Sequence, residues 1–300
     1  MNHLQTRSRS GTPPVAVSAL AAADGPVSNC DCSHRLTAQV RRVMWAVATL
    51  LVCMSLSACA TSEEPVEVRE DDILGGTVDK VDRSVVAISV YNQKTNHTCS
   101  GAIVAPHVVV TAAHCVDPRD VGADNAIKVF MGDTFDSPWP WLYKPIKEFH
   151  VHPDYNPNNL FAGNDIAVII TSGALAQPPM PMNRVALSPA DVGQPIRFVG
   201  FGRTDASKPE SVGRRFQTTL SISLVTAKLV SSQGPTSSTC KGDSGGPGLI
   251  KRNGVEFIAG INSFGPADCK GGNSSTRMDV FAQAFVDGFI KTADPGFKAP

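Results

Sequence analysis

From residue 84 onward the chain is built of short apolar runs rich in Val and Ile, each closed by Gly, Pro, Asn or Asp. They fall at 84–91, 103–104, 108–111, 127–131, 166–170, 195–200, 218–225, 248–251 and 256–261. Branched side chains fit a pleated surface, and runs of this length bounded by turn residues predict strands. Many short strands predict an all-β body, a barrel or a sandwich. The period changes only near the end. Phe281, Phe285 and Phe289 stand four apart with Val286 on the same face, which predicts a C-terminal helix whose first turn Asp279 could cap.

Ahead of this body the pattern is different. Arg41 and Arg42 precede an apolar run at 45–56, the charge-then-apolar order of an export signal and too short for a comfortable membrane span. The run ends Leu56-Ser57-Ala58-Cys59, which resembles the bacterial lipobox, and Cys59 is then the expected site of lipid attachment to a membrane. An ordinary signal peptide whose small residues flank a cysteine is the alternative. Either reading sends the protein to the bacterial cell envelope or the extracellular space, where disulfides persist. Residues 1–40 carry Pro13, Pro14 and Pro26 without apolar periodicity, and a translation start near Val40 is one reading of that layout. Residues 1–59 are therefore taken as an N-terminal extension with a lipoprotein-type signal. Residues 60–72 hold Glu63, Glu64, Glu67, Glu70, Asp71 and Asp72 against Arg69, which predicts a solvated linker or propeptide.

Composition narrows the partners. With 27 acidic and 27 basic side chains the formal charge is zero, so no global field favours nucleic acid, and none is expected as a partner. Twenty-five glycines, 22 prolines and only 18% charged residues suit a turn-rich body with an apolar interior. Four of the eight cysteines, Cys99, Cys115, Cys240 and Cys269, belong to that body. They allow three pairings, of which neighbour with neighbour is the simplest. Zinc is the competing reading, but the close spacings that let one turn present two thiolates are missing. No cofactor or metal is expected, and no acidic loop suggests calcium.

Three segments carry candidate chemistry. Cys240-Lys241-Gly242-Asp243-Ser244-Gly245-Gly246-Pro247 surrounds a serine with glycines, which admit unusual backbone angles and let a substrate carbonyl approach the main chain. A serine hydroxyl needs a base to become a nucleophile, and the oxyanion it creates needs donors, which the Gly242 and Ser244 N–H groups could supply. A glycine-rich hairpin would explain the glycines alone. Val110-Thr111-Ala112-Ala113-His114-Cys115 places a histidine at a strand end beside a cysteine, a position more often structural than catalytic when it stands alone. Asn164-Asp165-Ile166-Ala167-Val168 opens an apolar strand with an acid, and a carboxylate drawn into a core needs a donor such as a histidine N–H.

In that order, T-A-A-H-C, N-D-I-A-V and C-K-G-D-S-G-G-P resemble the three signatures of the trypsin and chymotrypsin family of serine endopeptidases. The resemblance covers 73–291 and implies two six-stranded antiparallel β-barrels, meeting at roughly 175–195, a terminal helix, and a short tail at 292–300. It implies Ser244 as nucleophile, His114 as base and Asp165 as its orienting acid, acting on protein or peptide substrates. Ile73-Leu74-Gly75-Gly76 resembles the family's mature start, where a freed Ile73 ammonium would pair with Asp243. Ser263, Phe264 and Gly265 resemble the segment that binds substrate backbone, with Cys99–Cys115 and Cys240–Cys269 as disulfides, the second stapling the specificity pocket.

Two departures stand out. Asp72 precedes Ile73 where the family carries a basic residue, so the activating protease is unknown. Ser238 occupies the position of the aspartate that selects arginine and lysine, and Asn273 that of a pocket-wall glycine, which points to cleavage after uncharged residues. A non-catalytic secreted binding protein on the same fold is the alternative, though no triad residue is missing. An esterase is a further one, but Pro247 and the apolar run behind Ser244 oppose the helix its elbow requires.

Overall fold

β4 shows why the body is a closed sheet: its sequence is Val-Val-Val-Thr, and all four residues are buried. A strand with no solvated side must be covered by neighbours on both edges and both faces, and barrel closure also removes exposed edges. The structure, a computed structural model, describes residues 76–300 apart from 93–95, 136 and 138. The expectations for the signal, Cys59, the 60–72 linker and Ile73 lie outside the described residues.

The strands are β1 (Thr77–Val78), β2 (Val85–Tyr91), β3 (Asn96–Ala105), β4 (Val108–Thr111), β5 (Ala126–Phe130), β6 (Tyr143–Val151), β7 (Ala167–Thr171), β8 (Pro195–Gly200), β9 (Phe216–Val225), β10 (Leu229–Gln233), β11 (Pro247–Arg252), β12 (Val255–Phe264) and β13 (Asn273–Arg277). The first barrel closes in the order β2-β3-β4-β7-β6-β5. The second runs β9-β10-β13-β12-β11-β8 and closes through β8–β9 pairing, with β1 added outside β9. The fold is thus two closed six-stranded antiparallel barrels, as the resemblance implies.

The two halves are tied to each other by their ends. β1 precedes the first barrel in sequence yet pairs with β9 of the second. Arg215, wholly buried, holds it there: Nε donates to Asp79 at 3.1 Å and Nη2 to Asp133 at 2.6 Å, so one guanidinium joins the end of β1 to the loop after β5. Removing one partner of such a buried pair leaves an uncompensated charge, whose cost far exceeds that of a surface pair. At the other terminus the C-terminal helix spans 278–293, with a π turn at Ala282–Val286 between two α segments. Met278, Phe281, Val286 and Ile290 enter the apolar core that also holds β2, β4 and β7, while Phe285 and Phe289 pack at its margin.

Two terminal expectations are corrected. Asp279 does not cap the helix, because it lies inside the first turn: Arg277 is the residue ahead of the helix, and the Asp279 carboxylate instead accepts from the Leu187 N–H and the Arg277 guanidinium. The body also does not end at 291. The helix continues to Ala293, Asp294 accepts from the His107 N–H at 2.9 Å, and Phe297 packs against the core.

β1, β6, β10 and β13 were not legible as strands. β13 reads Asn-Ser-Ser-Thr-Arg and β6 Tyr-Lys-Pro-Ile-Lys-Glu-Phe-His-Val, so their apolar pattern is faint and partners already in place supply the pairing.

Both expected disulfides form, Cys99–Cys115 and Cys240–Cys269. Cys99–Cys115 closes a loop with a sequence separation of 16. A loop of that size is worth about 3 kcal/mol in the chain-entropy model. Cys99→Ser with Cys115→Ser should therefore lower the urea unfolding midpoint, with a slope no smaller than the parent's because the denatured chain without the bridge exposes more surface, as measured by circular dichroism.

Candidate active site

β4 delivers the histidine. Its last residue, Thr111, runs through buried Ala112 into a single 3-10 turn, Ala113–Cys115, and the disulfide clamps that turn to β3. Asp165, just ahead of β7 and 1% exposed, meets it twice: the His114 main-chain N–H donates to Oδ1 at 3.0 Å, and Nδ1 lies 2.8 Å from Oδ2. A carboxylate can only accept, so Nδ1 carries the proton and Nε2 keeps its lone pair. Ser263 Oγ also donates to Oδ2, at 2.5 Å, and Thr276 Oγ1 donates to the Asp165 carbonyl at 2.9 Å. Ser263 reaches the acid because it is the extra residue of a β-bulge, lying between the pairs Asn262↔Ser275 and Phe264↔Ser274.

Electrostatics follow from this geometry. Burial pushes the His114 imidazole down, but the Asp165 charge and hydrogen bond outweigh it and hold its pKa above the ordinary value. Burial opposes the Asp165 anion, yet the His114 charge and the bonds from His114 and Ser263 prevail and hold its pKa below the usual range. The pair thus remains a carboxylate facing an imidazole that gains a proton readily, while 24% of the His114 side chain stays open to the cleft.

Ser244 approaches from the second barrel. Its carbonyl accepts the Ser100 N–H from β3 at 2.7 Å, and Gly245 follows at φ +81°. A Cβ on Gly245 would fall 2.1 Å from Thr111 Oγ1 and 2.4 Å from the Ser100 carbonyl, so only glycine lets this loop touch the strand that leads to His114. Asp243, Gly245 and Gly246 spend their N–H groups on Cys240, Asn262 and Asp243 carbonyls. Those of Gly242, at φ +104°, and Ser244 make no hydrogen bond to a described residue. Nor does the half-buried Ser244 hydroxyl bond to His114; in free enzymes such contacts are often long and close on substrate. Pro247 opens β11 directly behind the loop, so no helix follows the serine.

Asp243 points inward. Its carboxylate accepts from the Gly202 N–H and the Cys240 N–H, both at 2.8 Å, and no cation among the described residues pairs with it. Burial pushes its pKa up to about 6 against those two backbone bonds. The expected pairing with Ile73 lies outside the described residues.

A cavity of about 190 Å³ opens beside Ser244, bounded in part by Thr239, Lys241, Asn262, Ser263, Phe264 and Gly265. A Cβ on Gly265 would come within 2.9 Å of the Gly272 carbonyl, so this wall is held thin. Two expected pocket residues are placed differently. Ser238 does not line the cavity, because it is buried with its hydroxyl spent on the Gly272 carbonyl. Asn273 is also absent from that lining; its amide bonds Asn262 and Ser232, and it faces a neighbouring hollow of about 440 Å³.

Among known families, residues 73–285 match the one described as Trypsin. The chain belongs to the trypsin family. It is similar to chymotrypsin-like elastase family member 1 of Bos taurus, 27% identical over 255 residues that cover 78% of this chain and 93% of that one. Proproteinase E of Bos taurus is 29% identical, with 66% and 84% covered. Chymotrypsin-like elastase family member 3B of Homo sapiens is 30% identical, with 65% and 78% covered. As a trypsin-family member the protein is a serine endopeptidase, a hydrolase acting on proteins or peptides.

Thr239, Asn262 and Thr276 are the site residues of this trypsin-family chain that the sequence reading missed. Asn262 had a signal: it is the polar break at the end of Ile258-Ala259-Gly260-Ile261. Thr276 had none, since it lies in a polar strand with no pattern to interrupt.

Proposed function

We propose that this endopeptidase works through Ser244, His114 and Asp165, with the Gly242 and Ser244 N–H groups receiving the oxyanion. The His114–Asp165 pair, packed one strand from the glycine loop of Ser244, is the observation that carries the reading. His114 Nε2 takes the Ser244 proton as Oγ attacks the scissile carbonyl, and returns it to the departing amine. The acyl-enzyme is then hydrolysed by water through the same base. Asp165 holds the ring in the required tautomer and stabilises its cation.

Asp165→Asn should lower kcat by about 10⁴-fold while leaving the fold intact. Without the carboxylate the His114 pKa falls, so the acid limb of the kcat/KM profile moves to lower pH. A rate within tenfold of the parent protein would refute the role.

Synthesis as a zymogen is part of the same reading. Cleavage after Asp72 frees the Ile73 ammonium, and Asp243 is the buried acid suited to receive it, because a buried carboxylate without a cation is costly. N-terminal sequencing of active protein should find Ile73; an intact chain through Asp72 in active protein would refute this. Export fits the two disulfides, and attachment through Cys59 is the expected tether. No acidic side chain among the described residues lines the cavity beside Ser244, which weighs against cleavage after basic residues. A peptide library with a strong arginine preference would overturn that.

A further inference from the structure

We infer that the cavity beside Ser244 selects substrates whose residue before the scissile bond ends in a carbonyl oxygen, glutamine or glutamate, and that Asn262 reads that oxygen. The inference rests on Ser244 being the nucleophile and specifies what its pocket accepts. Asn262 is fixed to the nucleophile loop by its backbone: its N–H donates to the Gly246 carbonyl at 2.9 Å, and its carbonyl accepts the Gly245 N–H at 2.7 Å. A relay sets its side chain. Ser232 Oγ donates to Asn273 Oδ1, and Asn273 Nδ2 donates to Asn262 Oδ1, to which Thr239 Oγ1 adds a longer contact at 3.5 Å.

With the Asn262 oxygen already taken, its Nδ2 group is the unspent end. It donates to no described protein group and is not sealed off from the cavity that Asn262 lines. An apolar substrate side chain would dry this donor without satisfying it, whereas a carbonyl oxygen would pair with it. A site built to hydrogen-bond its substrate rejects analogues that lack the group far better than an apolar pocket discriminates by size. Among the described residues the only charged side chain on the lining is that of Lys241, which disfavours a cationic substrate and tolerates a carboxylate. A cavity of about 190 Å³ suits the longer side chains, glutamine and glutamate, over their shorter homologues.

The test compares kcat/KM of the purified active protein on peptide amides differing only at this residue, with Gln, Glu, Met, Leu and Arg. Methionine has nearly the shape of glutamine without the acceptor. Glutamine should exceed methionine by about tenfold or more, since a lost pairing of this kind costs at least that factor. Asn262→Val should bring the Gln-to-Met ratio near one. Asn262→Asp keeps the oxygen that Asn273 needs but replaces the donor, so it should also erase the ratio and make glutamate the poorest substrate. Lys241→Gln should lower the Glu-to-Gln ratio, which separates recognition of carboxylate from that of carboxamide. Methionine, leucine or arginine equalling glutamine would overturn the inference, as would an unchanged ratio in both Asn262 variants. Fluorophosphonate labelling separates the two levels: an unlabelled parent protein fails the nucleophile assignment and this inference with it, while a labelled protein without glutamine preference fails this inference alone.

Discussion

Ser244→Ala and His114→Ala should each reduce turnover by about a millionfold and abolish fluorophosphonate labelling, while the thermal unfolding of the protein stays near that of the parent. The two losses should be similar and non-additive, because nucleophile and base act as one unit: a serine without its base is a poor nucleophile, and a base without the serine has no proton to take. The double variant should therefore be no worse than either single one. Residual catalysis over water, about 10³-fold, should survive in all three, since the Gly242 and Ser244 N–H groups are main-chain donors that neither substitution removes. Full labelling of the His114→Ala protein at the parent's rate would contradict the assignment.

Cleaving the chain after Asp72 should raise its melting temperature at pH 7.5 but hardly at pH 4. Asp243 is the reason. Its carboxyl is buried, and its pKa is pushed up to about 6 from an ordinary 3.8. A raised carboxyl pKa means the folded protein binds the proton more tightly than the unfolded chain does, so its contribution is fully present below pH 3.8 and is lost as pH rises through about 6. The penalty at neutral pH is about 3 kcal/mol if no cation answers the charge. The Ile73 ammonium would answer it, so the advantage of the cleaved form opens between pH 4 and 6.

It then closes at alkaline pH, as the amino group gives up its proton from an ordinary value near 8, raised by the pairing. For a body of this size the gap corresponds to about 6–12 °C. Asp243→Asn should remove the pH dependence of the gap and lower kcat by about 10²–10³, the cost of losing one oxyanion donor, because the carboxylate also organises the loop carrying Gly242. A gap equal at both pH values, or one that survives Asp243→Asn, would remove Ile73 as the partner.

The proposed catalytic residues were legible because such chemistry demands rare residues beside tell-tale neighbours. Ser244 is flanked by glycines whose absent side chains let the loop touch β4, His114 sits beside a bridged cysteine, and Asp165 stands just ahead of an apolar strand. Pocket residues were less legible. The resemblance set Ser238 and Asn273 at pocket positions, but position along the chain did not reveal that each is satisfied by protein groups and absent from the lining of the cavity beside Ser244. Asp279 shows the same limit at a helix end, where a competing guanidinium decided which group the acid bound.

By itself the sequence determined the strand-rich class and carried the three motifs from which the triad is proposed, because each depends on the composition of a few consecutive positions, whereas the choice among three cysteine pairings was settled by the fold. Tertiary structure alone decided the pairing of β1 with β9 through buried Arg215, the docking of the helix and Phe297 on the apolar core, and the relay of hydrogen bonds from Ser232 through Asn273 to Asn262. Those features join side chains far apart in the chain. Each is fixed by which donor meets which acceptor once the barrels close, and no local pattern records that encounter.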